Sequence, residues 1–117
     1  MFKGNVIKDE LVEQGRTFLA TYFETENAGI ILMSESTDRL GTLAVSMPQQ
    51  QKLIGPVISS ILIGDRNTMI SRILAELLAK QTKKIGLVSV FLRTISEQEA
   101  APILKTLLEK ILKKNQS

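Results

Sequence analysis

Residues 85–92, IGLVSVFL, restrict the possible folds more than any other stretch of the chain. In an extended strand successive side chains point to opposite faces. That puts Ile85, Leu87, Ser89 and Phe91 on one side and Gly86, Val88, Val90 and Leu92 on the other. Both sets are mainly apolar. A strand with one wet face would alternate apolar and polar residues, so each face of this strand needs a cover. Residues 56–63, PVISSILI, read as a second strand of similar character. Between the two, residues 67–82 place Met69, Ile70, Ile73, Leu74, Leu77 and Leu78 at helical spacing, forming one apolar stripe. Asp65, Asn67 and Thr68 are candidate N-caps, and Lys80, Lys83 and Lys84 lie near the C-terminal end, where cations suit the helix dipole. Such a helix spans roughly 24 Å at 1.5 Å per residue, and each flanking strand roughly 27 Å. The joints are short, so the chain can run up a strand, back down a helix and up again. The two strands are then parallel, with a right-handed crossover.

The N-terminal half reads as strands joined by short polar turns. Residues 5–12 form a weak candidate, 16–24 a better one, 29–34 (GIILMS) an apolar one, and 40–47 a half-buried strand with Leu43, Val45 and Met47 on one face. Asn27-Ala28-Gly29 and residues 35–39 are the turns. Short connections of this kind suggest an antiparallel meander. Residues 48–55, PQQQKLIG, read as an exposed loop. A second helix follows Ser96, which has capping-box spacing to Glu99. Its stripe is Ile103, Leu104, Leu107, Leu108, Ile111 and Leu112. Pro102 lacks an N–H, so either the first turn is loose or the regular helix starts near Ala101 with Pro102 at its first position.

These elements fit one domain over residues 1–117. The expected class is α+β: a mixed, mainly antiparallel sheet with two amphipathic helices on one face. No third helix exists for the other face. Leaving its large side chains in water would cost about 1.5–3 kcal/mol each, so that face is expected to pack against a partner sheet in a dimer. A homodimer is the default. The alternative is a sheet that curls over itself within one chain. Val88, Val90 and Leu92 are the candidate interface residues.

The chemistry is sparse. There is no His and no Cys, which removes the commonest neutral-pH base and the commonest metal ligands. No dinucleotide, P-loop or zincin motif occurs. Ser59 and Ser60 sit in a strand pattern, and the acidic pairs Asp9-Glu10 and Glu97/Glu99 read as solvated or capping groups. The reading is a non-enzyme with no cofactor and no metal. A net charge of +3 with one Tyr and no Trp gives little of the basic, aromatic footprint of a nucleic-acid binder. No signal-peptide h-region and no run long enough to span a bilayer is present, so a soluble, cytoplasmic protein with no membrane partner is expected. What remains is a protein-binding module.

One ordered series of residues resembles a known family. Gly41-Thr42-Leu43, then Gly55-Pro56-Val57, then Ile61-Leu62-Ile63-Gly64-Asp65 look like the small proteasome assembly chaperones, most nearly the third member. Residues 74–92, with Lys80-Gln81-Thr82-Lys83-Lys84 before a strand, also resemble the fourth. The likeness in order and spacing covers roughly residues 40–112. It implies a non-catalytic chaperone, a homodimer or a heterodimer with a related chaperone, which binds α-type subunits of the proteasome core particle and promotes α-ring assembly. In the third member the loop after the G-T-L strand faces the partner. The corresponding segment is residues 48–55, so Gln49, Gln50, Gln51 and Lys52 are candidate partner contacts, joined by Arg66 at the strand-to-helix turn. Related chaperones of another class dock through a hydrophobic–Tyr–X tail, and the ending Asn115-Gln116-Ser117 does not offer one. A dimeric roadblock or longin-like scaffold for small GTPases is the alternative; that group often begins with a helix, whereas the first 47 residues here read as strands. A basic nucleic-acid module comes third.

Overall fold

The first half of the chain folds back on itself through tight turns, as its alternating pattern requires. In the computed structural model, which describes residues 6–48 and 58–116, the order is β1 (Ile7–Glu13), β2 (Arg16–Glu24), β3 (Ala28–Glu35), β4 (Thr42–Ser46), β5 (Ser59–Ile63), α1 (Thr68–Thr82), β6 (Ile85–Phe91) and α2 (Glu97–Gln116). The six strands form one sheet in the order β1-β2-β3-β6-β4-β5. β1, β2 and β3 are an antiparallel meander. β6 inserts between β3 and β4, parallel to β3 and antiparallel to β4, and β5 closes the edge antiparallel to β4. β5 and β6 therefore run in the same direction, as the strand–helix–strand reading requires, but with β4 lying between them. The fold is α+β with a mixed, mainly antiparallel sheet.

Both helices pack on one face. The core joins Phe18, Ala20 and Tyr22 of β2, Ile31 and Met33 of β3, and Val88 and Val90 of β6 to Leu74 and Leu78 of α1 and to Leu104, Leu107, Leu108 and Ile111 of α2. Register explains the grouping, because Tyr22, Ile31, Val88 and Ala44 lie side by side across four strands. The α2 stripe is buried as its spacing predicts. The helix begins at Glu97 and runs through Pro102, and the Glu99 N–H donates to the Ser96 hydroxyl at 3.2 Å. The Ser96 cap is thus in place, and the alternative of a start near Ala101 is not what the chain adopts.

α1 departs from its expected stripe. Ile70, Leu74 and Leu78 are buried, but so are Ser71, Ala75 and Ala79, while Met69 and Ile73 are exposed. The helix is rotated toward its small residues because the strands beneath it are also small: Gly86 on β6, and Thr42, Ala44 and Ser46 on β4. A Cβ added at Gly86 would lie 2.7 Å from the Ala75 carbonyl oxygen and 2.9 Å from the Ala79 nitrogen, so the helix backbone rests almost on the sheet. Gly86→Ala is expected to push α1 outward and cost about 1–3 kcal/mol, as overpacking generally does. A drop in the urea midpoint would show it.

The candidate N-caps of α1 do not cap it. Asn67 occupies the N-cap position at φ 55° without a side-chain hydrogen bond. A distant carboxylate takes over: the Ile70 N–H donates to Glu97 Oε1 at 2.7 Å. The first turn of α2 thus satisfies the first turn of α1, where a negative group also suits the helix dipole.

Candidate functional site

The face opposite the helices carries the other member of every alternating pair. Phe23, Ile30, Leu87 and Val45 are register neighbours on β2, β3, β6 and β4. They form an apolar row that spans roughly 14 Å at 4.8 Å per strand. The next row is Thr21, Leu32, Ser89 and Leu43, and Leu19, Ser34 and Phe91 make a third. Ile30, Leu32, Leu43, Val45 and Leu87 are half-buried by their strand neighbours alone. Among the described residues no helix lies over them. Leu62 and Met47 are 55% and 59% exposed near the β4–β5 edge. At the opposite end residues 36–41 fold over the sheet. Asp38, Arg39 and Leu40 border a hollow with Thr21, Leu32 and Ser34, and the Arg39 guanidinium lies 4.9 Å from the centre of the Phe91 ring. The open face is thus an apolar field with a charged rim at one end.

β4 splits into the two faces its pattern predicts, and the smaller residues take the helix side: Thr42, Ala44 and Ser46 lie under α1, where only small side chains fit, and Leu43 and Val45 face outward. The interface residues chosen from sequence need a correction. Val88 and Val90 are 0% and 1% exposed inside the chain's own core, and Leu92 is half-buried against that core. The members of β6 on the open face are Ile85, Leu87, Ser89 and Phe91. The alternation itself supplied both sets; which one lay beneath the helices depended on Gly86 and on the small residues of β4 and α1. Arg66 is exposed at the turn between β5 and α1, as expected. Gln49, Gln50, Gln51 and Lys52 lie outside the described residues.

The fold matches that of a proteasome assembly chaperone. A chain in the crystal structure of a chaperone complex for yeast 20S proteasome assembly superposes with a TM-score of 0.68, covering 96% of this chain and 94% of that chain. Sequence identity is 13%, so the likeness is one of fold. No protein-family model matches the sequence, and no curated protein sequence does.

Two parts of the series behind the sequence resemblance, the Gly41-Thr42 pair and the end of β5 with its following turn, sit together in space; Gly55-Pro56-Val57 lie outside the described residues. The Gly41 N–H donates to Ser89 Oγ at 2.8 Å, and a Cβ at Gly41 would fall 2.0 Å from the Val90 carbonyl oxygen. Only glycine lets the chain pass β6 so closely. The Thr42 hydroxyl donates to the Arg66 carbonyl, which ties the start of β4 to the turn that presents Arg66. The Gly-Thr pair and the strand-to-helix turn are therefore one structural unit.

A buried carboxylate holds the same end of the molecule. Glu35, 1% exposed, accepts from the N–H groups of Arg93 and Thr94 at 2.7 and 2.9 Å and from the Thr94 hydroxyl. Arg16 lies 3.8 Å away and also donates to the Thr94 hydroxyl at 2.9 Å. Burial pushes the Glu35 carboxyl up, but these hydrogen bonds and the Arg16 charge outweigh it and hold the group below its ordinary value. Sequence reading placed Glu35 in a polar turn, because its acceptors' partners lie far along the chain. Among the described residues no cluster of three or more His, Cys, Asp or Glu is placed to hold a metal ion, and no helix is long and apolar enough to cross a membrane.

Proposed function

We propose that this protein is a non-catalytic assembly chaperone that binds α-type subunits of the proteasome core particle and promotes assembly of the α-ring, acting as a homodimer. The observation that carries the reading is the pairing of this fold, alike over nearly its whole length to a chain of a proteasome assembly chaperone complex, with a sheet whose second face is apolar and, among the described residues, uncovered by any helix. In this reading the row Ile30, Leu87 and Val45 packs against the same row of a second copy, with the sheets about 10 Å apart. The two-fold arrangement is self-complementary. The turn bearing Arg66 then stays free for the α-type subunit, and Gln49, Gln50, Gln51 and Lys52 are the further contacts we propose for it. Surface complementarity alone would do the work: holding a subunit edge in place needs no reacting group, and release follows when neighbouring subunits compete for that edge.

Mixing the protein with purified α-type subunits one at a time, followed by size-exclusion chromatography with light scattering, tests this directly. Co-elution with one subunit and faster ring formation in its presence are expected. Absence of binding to every α-type subunit would reject the chaperone reading, whatever the oligomeric state.

A further inference from the structure

α1 turns a second apolar stripe outward, beside the one it buries. Met69 and Ile73 are 63% and 52% exposed, and Leu77, one turn on, is half-buried against the edge of the core; Ile73 and Leu77 line a groove. The stripe covers about 12 Å of helix at 1.5 Å per residue. α2 supplies a facing bank through Ala101 and Pro102, and the two helices enclose a groove of about 460 Å³. Pro102 is costly inside a helix, at about 3 kcal/mol, because it removes a backbone hydrogen bond; here its ring contributes apolar wall. The charges around the groove are two basic to one acidic. Lys80 and Lys105 line it, and neither has an ion-pair partner among the described residues. Its one acid, Glu76, is engaged by the Ser59 hydroxyl of β5.

We propose that the groove between α1 and α2 docks an acidic amphipathic helix of a protein partner. An apolar trough about two turns long fits the i, i+4 anchors of a helix laid along it, and the unpaired lysines complement carboxylates on the helix flanks. This site lies on the opposite side of the molecule from the open sheet face and does not depend on dimer formation there.

The test uses two fluorescein-labelled helical peptides that share a leucine stripe, one with glutamate and one with lysine on the flanks. Fluorescence anisotropy with the full chain is expected to show saturable binding of the glutamate peptide alone. Ile73→Asp, and separately the double change Lys80→Glu and Lys105→Glu, should each weaken it by about tenfold or more. The double change should transfer binding to the lysine peptide, an outcome that simple misfolding cannot produce. Leu87→Asp on the sheet should leave binding unchanged. Equal binding of both peptides, no binding, or loss of binding on Leu87→Asp would overturn the proposal. So would a halved mass in light scattering for Ile73→Asp, which would make the groove a contact between copies of this chain.

Discussion

Val88→Asp is expected to leave no stably folded protein, whereas Leu87→Asp, one residue earlier, is expected to leave a folded chain that cannot form the proposed dimer. The two side chains leave the same strand in opposite directions. Val88 is fully buried between Ile31 and Ala44 and beneath the helices. Replacing it removes a buried aliphatic group worth about 1.5–3 kcal/mol and adds a carboxylate whose desolvation costs several kcal/mol with no partner to offset it. Together these approach the whole stability of a small domain, about 5–15 kcal/mol. Leu87 is half-buried and faces away from the helices, so an aspartate there stays hydrated in the monomer. In a sheet-on-sheet dimer it would be desolvated twice, once from each copy. A penalty of about 3 kcal/mol weakens association more than a hundredfold. Circular dichroism should show loss of helix and strand signal for Val88→Asp alone, and light scattering should show halved mass for Leu87→Asp alone. A folded Val88→Asp would contradict the register. An unchanged mass for Leu87→Asp would remove the open face as the interface.

That contrast also marks the limit of what the residues reveal on their own. Alternation in residues 85–92 located the strand and sorted its side chains onto two mainly apolar faces. The stripes of α1 and α2 established that helices could cover only one. Those arguments are local, depending on side-chain direction and helical period; both helices do lie on one face, with α1 rotated so that Met69 and Ile73 turn outward. Assigning each set to its face is not local. It follows from how closely α1 approaches the sheet, and that depends on Gly86 meeting Ala75 and Ala79 and on Ala44 and Ser46 beneath the helix. Hydrophobicity alone points the wrong way in β4, where the larger residues, Leu43 and Val45, face outward. Small residues matched on helix and strand are the readable signal, since they permit close approach where large ones would hold the layers apart. The α1 cap was hidden for a related reason: Asn67 has the right chemistry for a local cap, yet Glu97, twenty-seven positions from Ile70, takes the role once α2 has docked. The order of the sheet, with β6 entering between β3 and β4, leaves no mark on local pattern either.

Glu35→Ala is expected to cost about 2–4 kcal/mol: three hydrogen bonds to a charged group, typically about 1.5–3 kcal/mol each, are lost, and the sum is reduced because the exposed donors can turn to water. Three donors lose a shared acceptor, and the segment that carries the chain from β6 to α2 loses its anchor on β3. The consequence should reach further than the site. Thr94 precedes the Ser96 cap of α2, and Glu97 in the next turn holds the N-terminus of α1, beside the turn that presents Arg66. Amide hydrogen exchange at the first turns of both helices should therefore rise in Glu35→Ala more than at β2, which stays bound to β1 and β3. Glu35→Gln separates charge from shape. Its carbonyl can still accept from Arg93 and Thr94, and its amide can donate to the Thr94 hydroxyl, so a loss of about 1–2 kcal/mol is expected. The pH response should differ in kind. The folded state holds the Glu35 carboxyl below its ordinary value, so its contribution is complete above the ordinary glutamate value of 4.5 and fades as pH falls through the lower folded value. Glu24, whose burial is outweighed by hydrogen bonds from Tyr22 and Lys84, and Asp9, whose burial is outweighed by its backbone hydrogen bond and by Lys114 and Lys110, act in the same direction. Urea midpoints measured from pH 7 down to pH 3 should thus fall for the parent chain and fall less steeply for Glu35→Gln. Parallel slopes for the two proteins would mean that Glu35 titrates alike folded and unfolded, and that its hydrogen bonds do not hold it ionised.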